Sequence, residues 1–231
     1  MTPELGTVGQ LFVGYPVVAF GGYVAGMLAE RSGAQTVRGD FCGPVPVGVP
    51  VRIAETAGKG LELGEAVRPL PNARPAELLL YVPAAPSWDE AAAAAERYRA
   101  APPPGVVDYF GCGLRGADRG LRVHCTPVPD LGLVASAWIP SRAFANPDGL
   151  FPTQLVWGAL DCPGNWAGRF LGTQPPGAVT AALTGFGAAG VGPCRIARER
   201  QYCGEQSGGC GADRLYQVAP LLGHSVRRSW H

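Results

Sequence analysis

The sequence predicts an α+β protein made of two successive units, each with one buried helix on an antiparallel sheet. The first observation is an uncharged stretch, residues 6–29, with a helix pattern from Phe20 onward. The second is an order shared by both halves: an apolar helix, a strand with a Gly- and Pro-rich turn, then further strands. The 231 residues are 47% hydrophobic and 16% charged, which is enough for a substantial core.

The uncharged stretch is long enough to cross a bilayer, but its pattern does not favour a membrane span. Pro16 and several glycines divide it into short pieces, and no basic cluster flanks it. Only Glu4 carries a charge before it, so the basic region of a secretory signal is missing. We therefore expect a loop that enters a helix near Phe20. This helix should be buried because it is apolar on every side.

The rest of the first half reads as strands and one surface helix. The β-rich segments are "AQTVRGDF", "VPVRIAETAG", "LELGEAVRPL" and "AELLLYVP". Residues 87–100, "SWDEAAAAAERYRA", predict a helix with Ser87 as its N-cap, acids in the first turn and arginines in the last. We place the N-terminal unit at 1–86, this helix and a linker at 87–105, and the C-terminal unit at 106–231.

The second half returns to strand patterns around one apolar helix. The segments "GLRVHCTPVP" and "GLVASAWIP" predict strands, and "PTQLVWGALDCPGNWAGRF" predicts a helix near 153–168. Strand patterns follow in "AVTAALTGFGAAGVGP", "CRIARERQYCGEQ" and "RLYQVAPLLGHSVRRSW".

The charge and the cysteines of the chain indicate which partners and which compartment to expect. Lys and Arg number 19 against 18 Asp and Glu, without clustering, so we do not expect a nucleic-acid partner. Seven cysteines without a signal sequence indicate free thiols and a cytoplasmic protein. Cys203 and Cys210 with His224 are the alternative metal ligands, but turn or core positions are favoured for these cysteines. We expect neither a metal nor a cofactor.

Three segments resemble a known family. The stretches "VVAFGGYVAGMLA" and "FCGPVPVG", with "LVWGALDCPGNWA" in the second half, are similar to the double-hotdog acyl-CoA thioesterases (thioesterase II-like). The likeness covers most of the chain, from Val13 to Trp230. It implies two hotdog units, each a helix across a curved antiparallel sheet, paired sheet to sheet. It also implies an acyl-CoA or acyl-carrier-protein substrate and leaves homo-oligomerisation open. We expect no membrane partner, because the apolar stretch does not favour a span.

Asp161 is the strongest candidate for a catalytic residue. It is the only acidic residue between Asp148 and Glu199, and it lies in an apolar helix that should be buried. A buried carboxylate must be paired, hydrogen-bonded or protonated, which favours a functional reason for it. The alternative is an aspartate that ends the helix before Cys162. The resemblance implies that Asp161 acts on the attacking water, helped by Thr180, with Thr184 as the alternative threonine.

The start of the first helix is the candidate carbonyl-binding site. Gly21, Gly22 and Tyr23 contribute free backbone N–H groups at the positive end of the helix, where a thioester oxygen would become negative. We expect the Gly22 and Tyr23 amides to hold the carbonyl. The alternative is that the glycines only allow close packing. Trp157 is the further substrate-binding candidate, on the second helix.

A departure from the family and a set of tryptophans keep a second function open. The family's Gln on the last strand falls near Arg227 or Arg228, so one partner of the attacking water is missing. Trp138, Trp157 and Trp166 surround the expected site. The alternative function is therefore a non-hydrolytic hotdog scaffold that binds or cyclises an acyl or polyketide-like ligand.

Two other chemistries are weighed against hydrolysis by Asp161. Many hotdog dehydratases carry a His before the first helix, where this chain has Phe20, so a hydratase loses support. Cysteine catalysis by Cys112, or by Cys125 with His124, is the rival. His124 and Cys125 are neighbours on a predicted strand and would face opposite sides, so turn and core roles are favoured for these cysteines.

Overall fold

The protein is a mixed α+β structure with antiparallel sheets, seen in a computed structural model that describes residues 4–56, 60–65, 68–77, 84–103, 108–147, 149–172, 178–186, 194–195 and 215–220. Its helices are α1 (Gly21–Ser32), α2 (Trp88–Ala100) and α3 (Thr153–Phe170), with a 3-10 helix at Arg142–Phe144. Its strands are β1 (Glu4–Thr7), β2 (Val13–Tyr15), β3 (Val18–Ala19), β4 (Thr36–Asp40), β5 (Pro50–Thr56), β6 (Gly60–Glu65), β7 (Arg68–Pro75), β8 (Thr126–Val128), β9 (Leu133–Trp138), β10 (Leu150–Phe151), β11 (Ala182–Phe186), β12 (Cys194–Arg195) and β13 (Leu215–Pro220).

The main sheet has six antiparallel strands in the order β1-β5-β6-β7-β4-β11. Strand β11 comes from the second half of the chain and pairs with β4, with Leu183 opposite Gly39 and Gly185 opposite Val37. A second sheet has the order β13-β9-β8, and the pairs β10-β12 and β2-β3 are separate. The six-stranded sheet therefore joins a strand from the predicted C-terminal unit to strands from the N-terminal unit.

Helix α1 lies where the sequence predicts it and is buried along most of its length. Phe20 is its N-cap residue, without a side-chain cap, and Gly33 ends it in the left-handed conformation at φ 61°. Its apolar residues join Val37 of β4, Leu63 of β6 and Leu70 of β7 in one core cluster. The sheet thus covers the apolar stretch that would otherwise be exposed to water.

Helix α2 confirms the predicted surface helix. The Ser87 hydroxyl accepts a hydrogen bond from the Glu90 backbone N–H, and the Glu90 carboxylate accepts one from the Ser87 backbone N–H. This reciprocal pair satisfies N–H groups that a helix start leaves free. Ala91, Ala94 and Tyr98 are on its buried side, where Ala91 and Ala94 pack with Val128 and Leu133.

Helix α3 confirms the second predicted helix and corrects one alternative for Asp161. The helix does not end before Cys162 but continues through Pro163 to Phe170. Pro163 has no N–H to donate to the Ala159 carbonyl, yet the surrounding packing keeps the helix continuous. Its residues contact β8, β9, β13 and α1. Asp161 therefore lies inside a helix rather than at its end.

Around β6 and β7 the structure differs from the strands that the sequence predicts. The pattern in "LELGEAVRPL" predicts one strand, but β6 ends at Glu65 and β7 begins at Arg68. The residues after Leu70 read as turn residues because Pro rarely occupies a central strand. They nevertheless continue β7, which pairs with β6 and β4 on its two sides. Of the predicted strand "AELLLYVP", residues 78–83 lie outside the described residues.

Within the described part of the chain, no helix is long and apolar enough to cross a membrane. Four of the cysteines, Cys42, Cys112, Cys125 and Cys162, are free thiols there. The expectation of free thiols is thus met at these four positions.

Candidate functional site

Glycines bring α1 and α3 into close contact. A Cβ atom at Gly22 would lie 2.8 Å from the Gly158 Cα and from the Trp157 carbonyl oxygen. One at Gly26 would lie 2.6 Å from the Gln154 Cα. Backbone atoms cannot yield to a methyl group at these distances, so only glycine fits at both positions. The close approach places the first turn of α1 against the middle of α3.

The Asp161 carboxylate is held from two sides in this contact. The Gly22 backbone N–H donates a hydrogen bond to Asp161 Oδ2 at 3.0 Å. The Thr180 hydroxyl donates one to Asp161 Oδ1 at 2.7 Å. Asp161 is only 8% exposed. Residues far apart in the chain thus fix one buried carboxylate, and each of its oxygens keeps a second lone pair for another donor.

Burial sets the protonation behaviour of this carboxylate. Removal from water raises the pKa of Asp161 from 3.8 to about 6, although the hydrogen bonds from Thr180 and Gly22 act in the opposite direction. The group therefore changes charge close to neutral pH. A carboxylate with a pKa in this range can take a proton from a bound water and release it again.

An apolar cavity of about 310 Å³ opens beside Asp161. Its wall is built by the β2-β3 hairpin, the first turns of α1, the segment after β4, the Tyr109 region, α3 and the residues before β11. The lining residues are Gly14, Tyr15, Val18, Ala19, Phe20, Gly21, Val24, Phe41, Gly43, Pro44, Val45, Tyr109, Cys112, Asp161, Cys162, Asn165, Ala178, Val179 and Thr180. No Lys, Arg or His belongs to this set of described residues.

The structure brings together three of the residues chosen from the sequence. Asp161, Thr180 and Gly21 all line the cavity, and the bond between Thr180 and Asp161 involves the first of the two threonines considered. Thr184 lies in β11, opposite Arg38 of β4, and is not part of the cavity wall. The roles of Asp161 and Thr180 in catalysis stay predictions.

The amides expected to hold a carbonyl are arranged differently from the prediction. The Gly22 N–H is already bonded to Asp161, so Gly22 both permits the helix contact and positions the carboxylate. The Tyr23 ring stacks on Phe12 with centroids 4.0 Å apart, and Tyr23 does not line the cavity. Gly21 and Val24 of the first turn line the cavity, and the Val24 N–H already donates to the Phe20 carbonyl. The Gly21 amide is the remaining backbone candidate for a carbonyl.

Trp157 lies away from the cavity, in the core. It is 1% exposed, and its ring would be 3.2 Å from a Cβ atom at Gly185 of β11. Its position supports the packing of α3 against the six-stranded sheet. Trp138 and Trp166 are also buried, and neither lines the cavity.

Several cavity residues were not predicted from the sequence. Asn165 lies one helical turn after Asp161 on α3, a spacing that could have identified it. Tyr15 and Tyr109 meet edge to face with centroids 5.0 Å apart, and the Tyr15 hydroxyl donates to the Ala178 carbonyl at 2.9 Å. No local pattern indicates a contact between residues so distant in sequence.

The cysteine and histidine candidates separate into two groups. His124 and Cys125 are fully buried outside the cavity lining, and the His124 ring stacks on Tyr98. Burial lowers the pKa of His124 to about 4. Residues 121–125 are not in a strand, contrary to the prediction. Cys112, in contrast, lines the cavity.

The remaining sequence candidates, Arg227, Arg228 and the set Cys203, Cys210 and His224, lie outside the described residues. Among the residues that are described, no cluster of three metal-ligating side chains occurs.

Neither the models of known protein families nor the curated proteins compared with this chain gave a match.

Proposed function

We propose that this chain is a thioester hydrolase that cleaves an acyl-CoA or acyl-carrier-protein thioester in the cavity beside Asp161. The observation that carries the proposal is the buried Asp161 carboxylate at the wall of an apolar cavity, oriented by Gly22 and Thr180. A carboxylate in such a position suits the activation of a water molecule near neutral pH.

In the proposed reaction Asp161 removes a proton from water, and the oxygen of that water attacks the thioester carbon. The C–S bond then breaks, and the released thiolate takes up the proton. The bonds from Gly22 and Thr180 keep the carboxylate from turning, which maintains its alignment with the water. Thr180 is thus a positioning residue in this scheme.

The carbonyl oxygen of the substrate needs donors at the same wall. The Gly21 amide lies at the positive end of α1, and this end favours a developing negative charge. Asn165 adds a side-chain amide one turn from Asp161. These two groups replace the predicted Gly22 and Tyr23 pair in the proposed site.

The lining also favours a particular acyl group. Phe20, Phe41 and Val45 make the wall apolar, and no described lining residue carries a positive charge. A carboxylate on the acyl chain would have no cationic partner there and would lie near Asp161. We therefore expect an uncharged aliphatic or aromatic acyl group.

The arrangement of helices and strands supports the double-hotdog fold as part of this proposal. Helix α1 contacts β4, β6 and β7 of the six-stranded sheet, while α3 contacts β8, β9 and β13. The strand after α1, β4, pairs antiparallel with β11, the first described strand after α3. Two units related by a local two-fold axis would pair equivalent strands in this antiparallel way.

Release of free thiol tests the proposal. We expect the purified chain to release CoA from neutral acyl-CoA substrates such as hexanoyl-CoA and benzoyl-CoA, and to be much slower on succinyl-CoA. The assay follows the free thiol with a chromogenic disulfide reagent. Failure to cleave every thioester tried would contradict hydrolysis. Tight binding of an acyl-CoA without thiol release would favour the scaffold that binds or cyclises its ligand.

A further inference from the structure

Cys112 is a thiol at the cavity wall that hydrolysis by Asp161 does not use. Its position is fixed on several sides. The Tyr98 hydroxyl donates to the Cys112 carbonyl at 2.9 Å, and the Gly113 N–H donates to the Tyr109 carbonyl at 3.0 Å. A Cβ atom at Gly111 would lie 2.7 Å from Cys162 Sγ, so this turn packs directly on α3. The thiol is therefore held in place beside the cavity.

Neighbouring side chains change the pKa of the buried Cys112 thiol. The Cys162 side chain lowers the pKa of the Cys112 thiol, and the Trp166 side chain acts in the same direction. Burial and the charge of Asp161 oppose them. The Trp166 indole N–H is buried and has no acceptor in good hydrogen-bond geometry among the described residues. A thiolate at Cys112 would offer this N–H group a stronger acceptor than a thiol does.

Cys112 and Asp161 face the same cavity, where a thioester carbon could meet both. Cys125 offers no such alternative. It is fully buried outside the cavity lining, and burial raises the pKa of its thiol. Cys42 is exposed and is also absent from the lining. Cys162 also lines the cavity, but its hydrogen bond with Cys112 and its burial raise the pKa of its thiol. Cys112 is therefore the cavity-lining thiol whose pKa is lowered.

We infer that Cys112 is a nucleophile that accepts the acyl group from the substrate before water releases it. The inference rests on the proposed function, since it adds a covalent step to the same site. The Cys112 sulfur attacks the thioester carbon, the bond from that carbon to the CoA sulfur breaks, and the proton of the Cys112 thiol ends on the released CoA. Water activated by Asp161 then attacks the new thioester, giving a carboxylic acid and the free Cys112 thiol.

The test is the detection of the acyl-enzyme. The full chain is mixed with hexanoyl-CoA, quenched in acid and examined by intact mass and peptide mapping. We expect one hexanoyl group on Cys112, transient in the wild type and accumulating to nearly one equivalent in Asp161→Asn, where the second step is slow. Cys42→Ser is the matched control and should form the same adduct, whereas Cys112→Ser should form none at this position.

The outcomes separate the two proposals. Wild-type cleavage without an adduct in any variant, together with full turnover by Cys112→Ser, would overturn the role of Cys112 and leave hydrolysis standing. A stable adduct with one equivalent of CoA and no turnover would support Cys112 and overturn hydrolysis. Neither adduct nor CoA release would overturn both.

A measurement on the wild type without substrate tests the inference even if Cys112→Ser does not fold. In the wild type, iodoacetamide should alkylate Cys112 at least 10-fold faster than Cys125, as read by peptide mapping. Equal alkylation rates for Cys112 and Cys125 would overturn the inference.

Discussion

Asp161→Asn is expected to lower the rate of thioester cleavage by roughly 100-fold or more while the fold is retained. Asparagine has nearly the same shape, and its oxygen can still accept the bond from Gly22 while its amide donates to Thr180. The substitution removes the group that takes a proton from water. Free-thiol release at saturating substrate measures this effect.

The matched control is Glu55→Gln, which changes an exposed carboxylate on β5 to its amide. It should leave the rate unchanged. An Asp161→Asn enzyme that cleaves thioesters as fast as the wild type would remove Asp161 from the mechanism.

Stability should move in the opposite direction from activity in the Asp161→Asn variant. The pKa of Asp161 is raised from 3.8 to about 6 in the folded protein, so its ionised form is disfavoured by folding. Below pH 3.8 Asp161 is protonated in both states and does not lower the free energy of unfolding. The loss grows between pH 3.8 and about pH 6. Above about pH 6 it reaches its full size of about 3 kcal/mol. At pH 7.5 the Asn variant, which carries no charge there, should therefore melt at or above the wild-type temperature.

Gly22→Ala is expected to lower the free energy of unfolding by about 3 kcal/mol. The new methyl group would lie 2.8 Å from the Trp157 carbonyl oxygen and the Gly158 Cα, and these backbone atoms cannot rotate away. The helices must separate, and this movement also takes the Gly22 N–H away from Asp161. Chemical denaturation measures the loss of stability, and thiol release should fall with it.

Gly164→Ala is the matched control for this substitution. Gly164 is an exposed residue of α3, and a Cβ atom there would meet nothing within 4 Å. The change should be neutral or stabilise the protein by up to about 1 kcal/mol, since alanine favours a helix. Equal stability of the Gly22→Ala and wild-type proteins would contradict the close helix contact.

Asp161 can be identified from the sequence because the pattern that marks it is local. An acidic residue in an apolar helix pattern has to be buried, and burial of a carboxylate requires partners. The identity of those partners is not local. Gly22 could be predicted as a donor, but its acceptor could be known only once α1 and α3 were seen to cross at glycines. Tyr109 and Cys112 reach the cavity from a segment without any helix or strand pattern.

The same distinction applies to the fold. The helices were predicted within a few residues because periodicity and capping act over neighbouring positions, as at Ser87 and Glu90. Strand β7 was partly missed because its prolines oppose strand formation locally, whereas pairing with β6 and β4 overrides that tendency. The pairing of β11 with β4 joins residues far apart in the chain, which no local signal encodes.

The pH dependence of kcat for thioester cleavage, measured for the wild type and Thr180→Val, tests the role of Asp161 most directly. In the wild type, kcat should rise with pH and level off above about 6, the pKa of Asp161, because Asp161 must be ionised to take a proton from water. Thr180→Val removes a hydrogen bond that lowers this pKa, so the rise should move to higher pH, while Thr184→Val should leave it in place. A profile that is flat between about pH 5 and 7, or one that Thr180→Val does not shift, would contradict the account.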